Sequence, residues 1–300
     1  MAANEAKRHH YVPRFYMRRF ACAGDKNKVM VLERHRDFLV AGCKSIEGIG
    51  YEEHLYYYDD NGAPASVEDD LNKVIETPFS KSATWLKISD GNCASLDASD
   101  RLPLYGFARH LQLRNLETLR FIETQYARYL TKELEDELTD EERDMYAWIA
   151  SDPGAAHELF RAGAIETMLP ADASAINVIV CQTPIALRSS TNPAIRLSHP
   201  GNDSVFGKMF NSLRTWWLAL DRHWGAFFVA GGPPGFSSGA VPPDIARVVN
   251  RLYLVQLLEG GARYMLADDD FLGEDLEWAA FTFAQRTSRS FRYRKTTSAS

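Results

Sequence analysis

The sequence predicts an α+β protein: a helical middle with β-rich segments near both ends, folded as a single domain over residues 1–285. Three observations predict it. Residues 1–60 alternate short apolar or aromatic runs with turn residues; residues 67–169 repeat apolar side chains every three to four positions; and over residues 175–285 β-rich pieces return, mixed with helical ones.

In the first part, KVMVLERHRDFLVAG (28–42) sets short apolar runs around a charged centre and predicts a β-hairpin. HLYYYDDNG predicts a further strand closed by the turn residues Asp60, Asn61 and Gly62, giving a small N-terminal sheet. In the middle part, Val67, Leu71, Val74 and Ile75 fall at helical spacing behind Glu68, Asp69 and Asp70, the charge favoured in a first helical turn. Thr77 and Pro78 suit the N-cap and first position of a second helix through Trp85 and Leu86. Leu104, Phe107, Leu111, Leu119, Ile122, Tyr126 and Leu130 predict one long helix over 102–130, and two more follow over 140–150 and 153–168.

In the last part, AINVIVCQTPIALRSSTNP and WWLALDRHWGAFFVAGG each read as two strands, the second pair separated by a corner at Asp221 to His223. GGPPGFSSGAVPP reads as a lid or linker leading to a helix over 244–259. A short strand in RYMLADDD and a helix over 271–283 complete the domain, and residues 286–300 read as a basic, disordered tail.

Charge is unevenly placed. Residues 1–20 carry +4 and residues 286–295 carry +5, so in a chain of net charge −6 the rest carries −15. Basic ends on an acidic body can guide a polyanion, such as nucleic acid or a nucleotide, to the termini. Cys22, Cys43, Cys93 and Cys181 are widely spaced, which predicts neither a zinc ribbon nor a disulfide framework and fits a reducing cytoplasm. No apolar run approaches the roughly eighteen residues of a membrane span, and the N-terminus lacks a secretory h-region. P-loop, GxGxxG, HExxH and GxSxG motifs are absent in usable contexts.

The opening stretch KRHHYVPRFYMRRF is the richest in chemistry. Pro13 suits the first turn of a short helix that would set Arg14 and Arg18 on one face and Tyr16 and Phe20 on another, with His9 and His10 just before it. Helix N–H groups, guanidiniums and imidazole could hold an anion, and histidine can transfer a proton near neutral pH. Adjacent strand residues face opposite ways, so one histidine would be a buried hydrogen-bonding residue.

HHYVPRFYMRRFA resembles the opening of the bacterial domain-of-unknown-function family 4238, marked by its HYVP motif, here His10 to Pro13. Similar features follow in order: VEDDLNKVIE with Glu68 and Glu76, ARHLQLRN with Gln112 and Arg114, and RSSTNPAI with Asn192 and Pro193. Thr191 stands where the family pattern has Asp, so an acid is missing here. The resemblance brings no reaction with it. The HH-x-x-P spacing is also similar to the first motif of HNH nucleases, but His35, His54 and His110 are not spaced to complete one.

The expectation is a hydrolase or nuclease-like enzyme acting on a phosphodiester or nucleotide, with His10, His9 and Asn192 as catalytic residues and Arg14, Arg18, Arg114 and Arg188 holding substrate. No metal site is expected, and no cofactor is identified. The alternative is a noncatalytic module that binds nucleic acid, a nucleotide or a protein. On the long helix, His110 and Arg114 share a face and read as boundary residues, while Glu68 and Glu76 read as complements to a helix start or partners of lysines.

Overall fold

The computed structural model describes residues 8–35, 38–60, 63–131, 138–151, 154–166, 169, 171–197, 214–230, 233–267, 275–278 and 292–295. It is an α+β fold in which the two ends of the chain share one sheet. Strands β1 (Arg8–His10), β2 (Ala21–Cys22), β3 (Asp25–His35) and β4 (Phe38–Ser45) open the chain. β3 and β4 form the predicted antiparallel hairpin, with His35 opposite Phe38. β5 (Tyr51–Glu53) pairs with β1, and β6 (Tyr57–Asp60) pairs with β7 (Ala63–Ser66).

The expected local N-terminal sheet does not close on itself. Late strands β14 (Tyr264–Ala267) and β15 (Arg292–Lys295) join it with the short β9 (Ser189–Ser190), in the order β15-β4-β3-β14-β9, and β2 also pairs with β3. All four residues of β14 are buried, and Val29, Val31 and Leu32 of β3 are buried beside it, so an apolar edge is covered by chain from the other end. β15 also corrects the reading of 286–300 as a disordered tail: Arg292–Lys295 runs parallel to β4. Of the last predicted helix, only 275–278 lies among the described residues, and it is helical.

The second sheet contains β8 (Asn177–Gln182), β10 (Ala194–Arg196), β11 (Arg214–Ala219), β12 (Trp224–Ala230) and β13 (Gly235–Ala240), ordered β10-β11-β12-β8-β13. Strand β13 lies in the stretch read as a linker. It is an edge strand parallel to β8, with its prolines outside the paired residues, where proline and glycine are tolerated.

The opening motif folds as expected into a short helix, α1 (Arg14–Met17), entered through Pro13 and followed by a 3₁₀ turn. Tyr16 and Phe20 are buried while Arg14 and Arg18 face solvent. Tyr16 Oη donates to the Ala219 carbonyl at 2.8 Å and lies 2.7 Å from Ser189 Oγ, so the motif anchors the N-terminus between the sheets.

The acidic helix runs as α2 (Glu68–Asp70), a π-helical stretch Leu71–Glu76, and α3 (Thr77–Ser80). Pro78 does not begin a separate helix. The break comes at Lys81 and Ser82, where Ser82 Oγ accepts the Trp85 N–H at 3.1 Å and caps α4 (Ala83–Ser89).

The predicted long helix is two: α5 (Arg101–Leu113) and α6 (Leu116–Leu130). Asn115 stops the first and starts the second, since its carbonyl accepts Thr118 N–H at 3.0 Å and its side chain donates to the Thr191 carbonyl at 3.0 Å. Apolar periodicity carries on across the break because both helices turn a face to one core, which hides the break in the sequence. α7 (Asp140–Ser151), α8 (Ala155–Ala164) and α9 (Pro243–Glu259) complete the helices used below, α9 ending at Gly260 with φ of 83°. One large core unites the opening aromatics, both sheets, α5 and α9. No helix among the described residues is long and apolar enough to cross a membrane.

Candidate functional site

Arg114 ends α5 and is completely buried. A guanidinium removed from water needs charge and hydrogen-bond partners on several sides, and four chain segments supply them. Its Nη1 donates to Glu76 and lies 3.1 Å from His110 Nε2; its Nη2 donates to the carbonyl of His10 and lies 4.0 Å from Glu68 Oε2. Its own carbonyl accepts from Tyr56 Oη at 3.1 Å, and its guanidinium carbon sits 5.7 Å from the centre of the Tyr56 ring. Burial opposes the charge, but Tyr56, Glu76 and Glu68 outweigh it and hold the Arg114 pKa above its ordinary value.

Glu68 and Glu76 reach the same guanidinium because of the π-helical stretch between them. Eight residues of regular α-helix would leave the two about 80° apart around the axis. The wider turn rotates less per residue and brings both carboxylates to Arg114. His110, read from sequence as a boundary residue, is buried; burial first and Arg114 second hold it well below its ordinary pKa, against the Ala164 carbonyl.

His9 and His10 point to opposite faces, as strand geometry requires. His9 is buried, accepts the Tyr56 N–H on Nδ1 at 2.8 Å and stacks on the Tyr56 ring, which makes it a positioning residue for the turn before β6. His10 is half-buried. Burial, then Arg14, Arg114 and Arg8, push its pKa down to about 4, opposed by a hydrogen bond to the Glu47 carbonyl. Its Nε2 is buried with no hydrogen-bond partner, so Nδ1 carries the proton to Glu47 and Nε2 presents a lone pair. Glu68 Oε2 is likewise buried without a hydrogen bond, Arg114 Nη2 lying 4.0 Å away. Burial raises Glu68 to about 7, with Glu76 adding to the rise and Arg114 and the His10 N–H opposing it.

The other predicted residues divide around this cluster. Arg14 is exposed and pairs with Glu47 at 3.2 Å, beside His10; Arg18 is exposed on the following turn. Arg188 is buried and pairs with Asp275 at 2.8 Å, while its backbone N–H donates to Asn250. Asn192 is buried, and its Nδ2 donates to the Gly261 carbonyl at 3.3 Å. These two bind segments of the second half of the chain together. The RSST segment instead meets the other two motifs through their neighbours: Tyr11, Asn115 and Thr191 line one cleft. Thr191, in place of an acid, accepts the N–H groups of Arg263 and Tyr264 at 3.0 and 3.1 Å. Among the described residues, no group of three or more His, Cys, Asp or Glu side chains is arranged to hold a metal ion.

Glu68 and His10 titrate in opposite senses. Glu68 is raised from 4.5 to about 7, so its stabilising contribution is complete below pH 4.5 and is lost as pH rises to about 7. His10 is lowered from 6.5 to about 4, so its contribution is complete above pH 6.5 and is lost as pH falls to about 4. Between pH 4.5 and 6.5 the slopes oppose. Glu68→Gln removes the first, and its stability relative to wild type should rise by about 3 kcal/mol between pH 4.5 and pH 8 in urea unfolding. A difference that does not change with pH contradicts the burial of Glu68.

No curated protein and no solved structure matches the chain. One family model does, over residues 8–209, a span that holds the opening histidines, both carboxylates on the π-helical segment, Arg114 and the RSSTNP turn. The chain therefore belongs to the family described as protein of unknown function, DUF4238.

Proposed function

We propose that the chain is a hydrolase acting on a phosphate ester, either a phosphodiester or a nucleotide, at the cluster formed by His10 and Glu68 beside Arg114. One observation carries this reading: four buried polar atoms of the residues grouped around one guanidinium, His10 Nε2, Glu68 Oε2, His110 Nδ1 and Arg114 Nε, make no well-formed hydrogen bond, and the first two are acceptors on groups that can transfer or bind a proton. Leaving such atoms unpaired costs about 1–3 kcal/mol each, a cost that a bound substrate or water offsets.

The roles follow from the two protonation states. Near neutral pH, Glu68 exchanges its proton readily and can protonate a leaving oxygen. His10 stays neutral, and its Nε2 accepts a hydrogen bond from the attacking water or hydroxyl and orients it. Arg14 and Arg8, both felt electrostatically by His10, favour an anionic substrate there. Arg114 is a positioning residue, since its charge is already met by Glu76. Arg188 and Asn192 act in the fold rather than on substrate.

A second reading, noncatalytic binding of nucleic acid, a nucleotide or a protein, is favoured by the same internal pairing of Arg114 together with the exposure of Arg14 and Arg18. Turnover of phosphodiester and nucleotide substrates separates the two. The hydrolase reading expects Glu68→Gln to lower kcat by roughly 10²–10⁴-fold, with a wild-type pH profile that breaks near 7. Salt-dependent binding without turnover by wild type supports the second reading and overturns the first.

A further inference from the structure

We infer that the cleft lined by Tyr11, Asn115 and Thr191 binds a small molecule through an anionic oxygen group, a phosphate or a carboxylate, at a site separate from His10 and Glu68. The cleft has a volume of about 380 Å³, and Arg34, Arg120 and Arg263 also line it. This falls within the range of roughly 300–1,000 Å³ typical of small-ligand pockets.

Its polar wall is held in place from behind. Asn115 Nδ2 is committed to the Thr191 carbonyl, and Thr191 Oγ1 accepts two backbone N–H groups from the loop after α9. Tyr11 is different. It is 2% exposed and lines the cleft, and its buried hydroxyl has no well-formed hydrogen bond, Thr191 being the side chain close enough to act on it. Burial is the first cause of its raised pKa of about 12, so it stays protonated and can donate to an anion.

Charge decides the class of ligand. The lining carries three arginines against Glu33 and Glu52. Glu33 is held by Lys44, and Glu52 pairs with Arg263 at 3.0 Å. Arg34 and Arg120 donate to the carbonyls of Leu258 and Gly260, at the carbonyl end of α9, which orients both; for Arg120 a carbonyl does not neutralise a full charge. Donors and positive charge thus face a cavity with one buried hydroxyl that lacks a well-formed hydrogen bond, an arrangement complementary to an oxyanion.

Calorimetric titration of the full chain with inorganic phosphate, and separately with succinate, at low salt and pH 7.5 tests this. Binding of one equivalent of either is expected, the tighter of the two identifying the oxyanion. Tyr11→Phe, which removes a hydroxyl that only the Thr191 side chain approaches, should weaken binding about tenfold without unfolding the chain, and Arg120→Ala by at least as much. Glu68→Gln should bind like wild type, so loss of the hydrolase reading and loss of this site are distinguishable. Absence of binding by both anions, or wild-type binding by both cleft variants, overturns the inference.

A different observation carries a second inference. Cys22 and Cys43 lie on β2 and β4 with their Sγ atoms 3.3 Å apart, and we infer that they form a reversible disulfide. Their spacing of 21 residues gave no sign of this in the sequence. Cys43 is exposed and Cys22 half-buried, whereas Cys93 and Cys181 are buried. A hydroperoxide would oxidise the Cys43 thiolate to a sulfenic acid, releasing the alcohol or water; the Cys22 thiolate then attacks that sulfur, the S–S bond forms and water leaves. After hydrogen peroxide treatment of the full chain, mass analysis should show the loss of two hydrogens, a Cys22–Cys43 cross-linked peptide and its reversal by dithiothreitol. Cys22→Ser should give no cross-link. Oxidised wild type in which both thiols still react with an alkylating agent overturns this inference.

Discussion

The fold is organised around a charge it cannot expose. Arg114 sits where α5 must stop, completely buried, and its guanidinium draws on the strand before the opening helix, the π-helical segment, α5 itself and the turn carrying Tyr56. Desolvating a guanidinium costs several kcal/mol, and removing one partner from a buried pair typically costs about 3–5 kcal/mol. The segments that meet there are therefore fixed in register to one another. The His10 carbonyl can accept from Arg114 only if β1 is placed correctly, and both carboxylates can reach it only if the helix between them widens.

What happens one residue further along gives the second half of the architecture. Asn115 cannot continue α5, so it restarts the chain as α6 and reaches across to the Thr191 carbonyl. Neighbouring residues thus face two ways: the His10 backbone and Arg114 toward the acidic helix, Tyr11 and Asn115 toward the RSST turn and the end of α9. Two polar features arise back to back from the same three motifs. One holds the Glu68 carboxyl, raised to about 7, in the cluster around Arg114; the other is a basic cleft with the buried Tyr11 hydroxyl in its wall. The opening motif serves both and also anchors the N-terminus through Tyr16.

Much of this was legible in the residues. Period-2 and period-3.6 patterns located the β3–β4 hairpin, the acidic helix, α7 and α9, and strand alternation put His9 and His10 on opposite faces without telling which of them is buried. Features that depend on a distant partner were not. Nothing local distinguishes a solvated His110 and Arg114 on an amphipathic face from a buried pair, because their burial is set by Glu76, His10 and Tyr56 from elsewhere in the chain. The division of the long helix was hidden for the same reason: apolar spacing reports the shared core and not the hydrogen bond from Asn115 to Thr191. Strand β13 escaped because glycine and proline mark turns in general but are compatible with an edge that finds β8 beside it. Arg188 and Asn192 belonged to the right segment, yet their partners are Asp275 and Gly261, so the residue that reaches the cleft is Thr191 between them.

The most direct test of the central role of Arg114 is a double-mutant cycle in urea unfolding at pH 7.5, using Arg114→Met, Glu76→Gln and the double variant. If the buried pair organises the fold, each single variant strands a charge or its partners, and the double variant costs less than the sum of the singles by about 2–4 kcal/mol. Additive costs, agreeing within about 0.5 kcal/mol, would contradict the account by showing that Arg114 and Glu76 are not coupled in the native fold.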